Sequence, residues 1–294
     1  MGAEDSALFF TIKAFFCIAN SRTRVKKSFK ERPKNALIWQ LQAVLCAENF
    51  FEMRIQKYIS QCGICSRREA ETKILEGLVT VNGKPAEIGQ DVNPETDRVW
   101  VDGRVARGAV KEKVVLAMNK PKGYLCSNSD PFEAQTVFDL LPEPYSKMKL
   151  FCCGRLDKGS RGLLILTNDG DLANKITHPS GGIIKRYRVL LNRDLDEKII
   201  PALLRGVMCD GEKLRAEKII PDPYLDVPLA KRRAEVWLSQ GRKREIRRMF
   251  EVMGYYVKDL KRFQIGSYEM KRIPEGAVKT LSSADIKRLL QNGK

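Results

Sequence analysis

Histidine is nearly missing from this chain, with one in 294 residues, at His178. That removes most histidine-based acid–base and metal chemistry, because a zinc site needs several converging side chains. His178 is too solitary to be a metal ligand. Apolar runs of the roughly 18 residues that a membrane-crossing helix requires are also lacking, so no span is expected. No G-x-G-x-x-G or G-x-x-x-x-G-K-[ST] loop follows a strand-like segment, which argues against nucleotide and methyl-donor folds. Among the eight cysteines, Cys62-Gly-Ile-Cys65 has zinc-ligand spacing. No second such pair and no nearby histidine completes a tetrahedron, although Cys152-Cys153 could in principle supply the other ligands. No metal and no cofactor are therefore expected. Most cysteines, Cys17 and Cys46 included, should be small apolar residues of a protein in a reducing cytoplasm.

What the chain has in excess is positive charge: 53 Lys and Arg against 36 Asp and Glu, or +17. Such a surplus asks for a polyanion, nucleic acid first and a membrane surface second. It is unevenly spread, at +3 over residues 1–52, +1 over 53–112 and +13 over 113–294. The length suits two domains.

Residues 1–52 read as an extension: apolar stretches are interrupted by Lys13, and Glu4-Asp5 stand where a signal peptide would be basic. Either Met53 is the natural start, or the segment is an RNA-contacting or targeting arm. Residues 53–112 read as a small α+β module. Ile55, Tyr58 and Ile59 share a helical face, Ser66-Arg67-Arg68-Glu69 is a capping box, and Asn82-Gly83 calls for a hairpin. Residues 113–294 read as a larger, strand-rich α+β domain. Strands are expected at Val114–Met118, Leu163–Leu166, Tyr187–Leu190 and Ala234–Leu238. Helices are expected at Thr136–Leu141, Asp171–Thr177, Glu197–Arg205, Arg247–Val252 and Ala284–Leu290.

The segment richest in chemistry runs from Gly154 to Gly170, GRLDKGSRGLLILTNDG. Glycines flank a loop that presents Arg155 and Asp157 just before an apolar strand, a setting that can hold a carboxylate rigidly beside a substrate. The plainer reading is a turn aspartate bonded to its own backbone. A single carboxylate also lacks the partner that ordinary glycosidic hydrolysis uses.

This segment resembles the catalytic signature of the pseudouridine synthases, specifically the RsuA-like family that acts on ribosomal RNA. Met53–Lys84 resembles the S4-type RNA-binding domain that precedes the catalytic domain there. Asn119-Lys120-Pro121-Lys122-Gly123, Thr177-His178-Pro179 with Lys185–Val189, and Gly241–Met249 match further family blocks in order. The resemblance covers roughly residues 53–290. It implies an α+β chain, with an S4-type domain at 53–112 and, at 113–294, a catalytic domain built on a mixed, largely antiparallel sheet flanked by helices. It also implies a reaction in which the N1–C1′ bond of uridine breaks, the uracil turns, and its carbon 5 joins C1′. That isomerisation is redox-neutral, so no cofactor is implied.

The family's essential aspartate matches Asp157, which would attack C1′ or stabilise positive charge there while C2′ loses a proton. Its basic partner matches Arg247, expected to keep that carboxylate ionised; the plainer alternative is one more RNA-facing arginine. The tyrosine that stacks on uracil matches Tyr187, unless it is only a core strand residue. Arg155 would help hold the nucleotide out of its stack. Lys120 and Tyr124 are assigned to the RNA cleft, with core or turn roles open. Lys231, Arg242, Lys243, Arg244 and Arg248 are expected on phosphates, as are Arg67, Arg68, Lys73 and Lys84 of the first module.

Two departures stand out. Many members carry glutamine where this chain has Glu245, and Cys62 and Cys65 replace small residues, which favours core packing over zinc. The partner is expected to be ribosomal RNA or a pre-ribosomal particle, approached by a monomer. Asp130-Pro131 and Thr136–Pro142 resemble the large-subunit branch, and small-subunit specificity is the alternative. Two other readings stay open: a non-catalytic RNA-binding or ribosome-assembly factor, which would tolerate loss of Asp157, and a methyltransferase, against which the missing glycine loop counts.

Overall fold

A computed structural model describes residues 52–107, 112–127, 135–221 and 229–292. Cys17, Cys46, the N-terminal extension up to residue 51 and the Asp130-Pro131 pair lie outside the described residues. The chain divides into two compact units between Val110 and Lys111.

The first unit runs β1 (Met53–Arg54), α1 (Ile55–Gln61), α2 (Arg67–Leu75), β2 (Val79–Val81), β3 (Lys84–Pro85), β4 (Asp91–Val92), β5 (Val99–Val101) and β6 (Arg104–Val105). The capping box opens α2 as its sequence requires: Glu69 N donates to Ser66 Oγ at 3.2 Å, and Ser66 N to the Glu69 carboxylate at 3.4 Å. Asn82 and Gly83 both take positive φ, 52° and 82°, turning β2 into β3. Asp102-Gly103 repeats the device between β5 and β6, giving the sheet order β3-β2-β5-β6. Ile55, Ile59, Ala70, Ile74, Val79, Val99 and Val101 form the core, and Cys62 and Cys65 pack against it, as their replacement of small residues suggests.

The second unit contains β7 (Val115–Lys120), β8 (Phe151–Cys153), β9 (Arg161–Thr167), α3 (Gly170–Thr177), β10 (Lys185–Leu191), α4 (Ile200–Arg205), β11 (Val207–Cys209), β12 (Glu212–Leu214), β13 (Lys218–Pro221), β14 (Arg233–Leu238), α5 (Glu245–Val252), β15 (Val257–Ile265), β16 (Tyr268–Glu269), β17 (Val278–Thr280) and α6 (Ser283–Leu289). Its main sheet has the order β13-β14-β10-β15-β9-β7-β17. Every pairing is antiparallel except β15 with β9, which makes the sheet mixed and largely antiparallel. Both faces of its middle are covered. Val115, Ala117, Leu163 and Ile165 pack under α3 and α6, while Leu116, Met118, Leu164 and Leu166 pack under Val137, Leu141 and Leu150. That explains why β7 and β9 read as unbroken apolar runs.

Several elements differ from the sequence reading, among them the short strands β8, β11, β12, β13, β16 and β17, which match no expected strand. Glu197–Arg205 is not one helix: a 3-10 turn at Glu197–Ile199 leads into α4, whose first turn holds Pro201, where a missing N–H is harmless. Thr136–Leu141 forms a 3-10 turn over Val137–Leu140. The nine-residue strand β15 has no counterpart in the expected elements. It crosses β9 so closely at Gly162, where φ is 104°, that a Cβ there would overlap the Arg262 carbonyl. Among the described residues, no helix is long and apolar enough to cross a membrane.

Candidate active site

The loop from Gly154 to Ser160 joins β8 to β9, and its backbone is fastened at four successive carbonyls. Lys120 Nζ donates to the oxygens of Asp157 at 3.3 Å and Ser160 at 2.8 Å. Gly123 N donates to Lys158 O at 2.8 Å, and Arg247 Nη2 to Gly159 O at 3.2 Å. Ser160 N closes the turn on Asp157 O at 2.9 Å, and Leu156 N donates to Cys126 Sγ at 3.4 Å. With the backbone so held, the Asp157 side chain makes no hydrogen bond or ion pair with any described residue. It lines a cleft of about 500 Å³, within the usual range of ligand sites (about 300–1,000 Å³). Arg155, Tyr187 and the Arg242–Arg244 run line the same cleft; Tyr187 is buried, and the arginines and Lys243 are exposed.

Several expected site residues turn out otherwise. Lys120 is fully buried at 0% exposure, and its ammonium is consumed by backbone carbonyls, so it fastens the loop and cannot reach RNA. Burial pushes its pKa down. Arg247 is not an ion-pair partner of Asp157: its guanidinium bonds Gly159 O and, at 2.7 Å, Val257 O, making it a positioning residue for the same loop. Arg248 clamps α5 to the β11–β12 hairpin through Asp210, Glu212 and Cys209 O, and is taken out of phosphate contact. Lys73 is engaged by Asp102 at 2.8 Å. Tyr124 packs against the apolar cluster under Val137 and Leu150 and does not line the cleft. Lys231 is exposed away from the cleft lining, and Arg67, Arg68 and Lys84 are exposed on the first unit. His178 caps the turn at Pro179–Gly181 by accepting from Ser180 N.

The cleft also holds residues that sequence reasoning did not assign to it. Arg262 and Glu245, each 3% exposed, and Lys185, 8% exposed, all line it. Arg262 lies on β15, which went unread, and Lys185 was legible only as a basic residue two positions before Tyr187. Cys126 is likewise more than core filler. It lines the cleft, and the hydrogen bond from the Cys152 thiol, helped by that from Leu156 N, pulls its pKa down. Among the described residues, no cluster of three His, Cys, Asp or Glu side chains suited to a metal exists.

Behind the loop, Asp259 on β15 joins Arg161 at 2.7 Å and Lys122 at 2.7 Å, tying the start of β9 to the Asn119–Gly123 segment. Burial alone would raise the Asp259 carboxyl, but the hydrogen bonds from Arg161 and Lys122 outweigh it and hold it at about 2. A carboxyl depressed in the folded state contributes stability above its unfolded pKa of about 3.9 and loses it as pH falls toward 2. Asp259→Asn is expected to cost about 2 kcal/mol at pH 7. It should also flatten the acid dependence between about pH 4 and 2, read by urea unfolding at a series of pH values. An unchanged midpoint would mean that the tie contributes nothing.

Comparison with known proteins gives one consistent picture. The family model described as RNA pseudouridylate synthase matches residues 114–252, and that of the S4 domain matches residues 53–99. Ribosomal large subunit pseudouridine synthase B of Vibrio cholerae is 37% identical, over 76% of this chain and 70% of that protein. Dual-specificity RNA pseudouridine synthase RluF of Escherichia coli (strain K12) is 38% identical, over 82% of this chain and 80% of that one. A crystal structure of a pseudouridylate synthase superposes with a TM-score of 0.58 at 28% identity, covering 81% of this chain and 99% of that one.

Proposed function

Because the chain belongs to the RNA pseudouridylate synthase family, with an S4 domain ahead of the catalytic one, and isomerises uridine in RNA to pseudouridine, we propose that Asp157 acts at C1′ of a flipped uridine in large-subunit ribosomal RNA. The observation that carries the assignment is the pinned loop: four fastened carbonyls hold the backbone, while Asp157 lines the cleft with its carboxylate unpartnered among the described residues. A group preorganised in this way need not rearrange when charge develops at C1′. It either bonds C1′ directly or stabilises a cationic C1′ while C2′ loses a proton. Once the N1–C1′ bond is broken, the ring of Tyr187 gives the detached uracil a flat surface on which it can turn. After carbon 5 joins C1′, the Tyr187 hydroxyl relays the proton that carbon 5 gives up, taking it on oxygen as its own passes to water.

Lys120 and Arg247 act through the loop rather than on the substrate. Arg155 and the Arg242–Arg244 run, exposed at the cleft, offset the cost of drawing a nucleotide from its stack by holding the neighbouring phosphates. Arg67, Arg68 and Lys84 give the first unit its RNA surface. A single copy of the chain works in the cytoplasm, on ribosomal RNA or a pre-ribosomal particle, without metal or cofactor. The large-subunit choice is supported by the Vibrio cholerae relative, whose name carries that substrate.

Carbodiimide mapping of pseudouridine in ribosomal RNA from cells with and without the gene tests the proposal. The expected result is loss of a pseudouridine signal in large-subunit RNA; loss confined to small-subunit RNA would overturn the substrate assignment. Lys231→Ala, remote from the cleft lining, should weaken RNA binding about two- to threefold and lower the salt slope by about one. Single-turnover conversion should be unchanged, and a slowed chemical step would place Lys231 in the cleft after all.

A further inference from the structure

Three buried ionisable side chains line the cleft yet have no part in the chemistry above. Lys185 shares a face of β10 with Tyr187, two residues on, and Tyr187 pairs directly with Arg262 on β15. Glu245 opens α5, whose Ile246 packs into the same apolar cluster as Tyr187. Among the described residues, each of the three has bonding capacity left over. Arg262 spends Nε on Leu163 O at 2.7 Å, but its buried Nη2 has no partner. Glu245 accepts from Arg242 N at 3.0 Å through one oxygen, and its buried Oε1 has no partner. Lys185 Nζ gives one hydrogen bond, to Ile183 O at 3.2 Å, and has two more hydrogens to give. Orphaned buried polar atoms are costly and uncommon, and two of them beside one cleft, with the under-used Lys185 ammonium next to them, point to a ligand that completes them.

The set presents two donors and one acceptor. The edge of uracil that would otherwise pair with adenine offers the complement: acceptor O2, donor N3–H and acceptor O4. We propose that these residues read that edge, the Glu245 carboxylate accepting from N3–H while Arg262 Nη2 and Lys185 Nζ donate to the two carbonyl oxygens. The proposal rests on the cleft being the uridine site. It fits the reaction in a further respect. Turning uracil by half a revolution about its N3–C6 axis exchanges N1 with C5, as the isomerisation requires. The same turn exchanges O2 with O4 and leaves N3–H on the axis. A reader with an acceptor between two donors therefore holds the base equally well before and after the turn. Cytosine, with a lone pair at N3 and an amino group at C4, would set a lone pair against the carboxylate and is rejected. The carboxylate also departs from the glutamine common at this position, and it strengthens the acceptor.

The test uses the full chain and an RNA fragment spanning the mapped uridine, carrying either uridine or 3-methyluridine at that position. Pseudouridine formation is followed by release of tritium from carbon 5. With wild-type protein, N3 methylation is expected to slow conversion about 100-fold. In Glu245→Ala, uridine itself should turn over about 100-fold more slowly, and the methylation penalty should shrink to less than about fivefold, since acceptor and crowding are both gone. Glu245→Gln keeps an acceptor oxygen and should stay within about threefold of wild type on uridine. RNA affinity, dominated by phosphates, should move less than about twofold in either variant. A wild-type protein that converts 3-methyluridine as fast as uridine overturns the proposal whatever the variants do, as does a methylation penalty that is the same with and without Glu245. Failure of the underlying reading looks different: the wild-type chain would leave the uridine fragment unmodified, which sinks both together.

Discussion

Asp157→Asn is expected to lower pseudouridine formation by at least about 10⁴-fold while RNA affinity changes less than about twofold. The asymmetry follows from where the carboxylate sits. Nothing described in the protein bonds to it, so replacing one oxygen by an amide removes no native contact, and the melting temperature should move little. The backbone beneath it is held by Lys120, Gly123 and Arg247, none of which senses the substitution. An amide is a poor nucleophile and carries no charge to set against a cationic C1′, so both routes to bond cleavage fail together. Single-turnover tritium release and filter binding on the same RNA separate the two effects. Turnover within tenfold of wild type would remove Asp157 from the chemistry and reopen the reading of the chain as a binding factor that retains the fold.

Gly162→Ala should lower the stability of the catalytic unit by at least about 4 kcal/mol, through a backbone clash rather than a lost contact. Gly162 pairs with Arg262 where β9 runs parallel to β15, at φ 104°. A methyl group there meets the Arg262 carbonyl oxygen, with the carbonyl carbon at 3.0 Å and Lys261 Cγ at 3.0 Å. Backbone on one side cannot swing away as a side-chain tip would. For a unit of this size the loss corresponds to a fall in melting temperature of roughly 8–16 °C, measured by circular dichroism. Separating the strands also withdraws Leu163 O from Arg262 and disturbs Arg161 on Asp259, so activity should fall with stability. A melting temperature within 2 °C or so of wild type would show that the strands do not approach as closely as described.

Local signals in the sequence were legible where the physics is local. Asn82-Gly83, the Ser66–Glu69 capping box and the apolar runs of β7 and β9 fold as their residues require. The Asp157 loop was legible too, because a long family block surrounds it. What could not be read depends on burial of charge. Strand β15, VKDLKRFQI, has polar residues at five of nine positions, four of them in two adjacent pairs, so its alternation is hidden. Buried Arg262 and Gln264 look in sequence like surface residues. The same rule misplaced Lys120, because a lysine in a basic chain is assigned to solvent or RNA by default, while here backbone carbonyls of a tight loop supply its partners. Arg247 and Arg248 sit in one basic run, and only tertiary structure shows one reaching the loop and the other the β11–β12 hairpin.

The fastening of the Asp157 loop also bears on when the protein becomes competent during its own synthesis. Its donors are contributed by Lys120, Gly123 and Arg247, and the second bond of Arg247 goes to Val257 O. A growing polypeptide that has passed the loop still lacks its last clasp until the segment through Val257 has left the ribosome. Proteolytic products that end before that point carry the signature aspartate on a backbone missing one of its holds. The sequence motif around Asp157 therefore does not suffice to fix its own loop, which takes its last hold from a residue 88 positions further along the chain than Gly159.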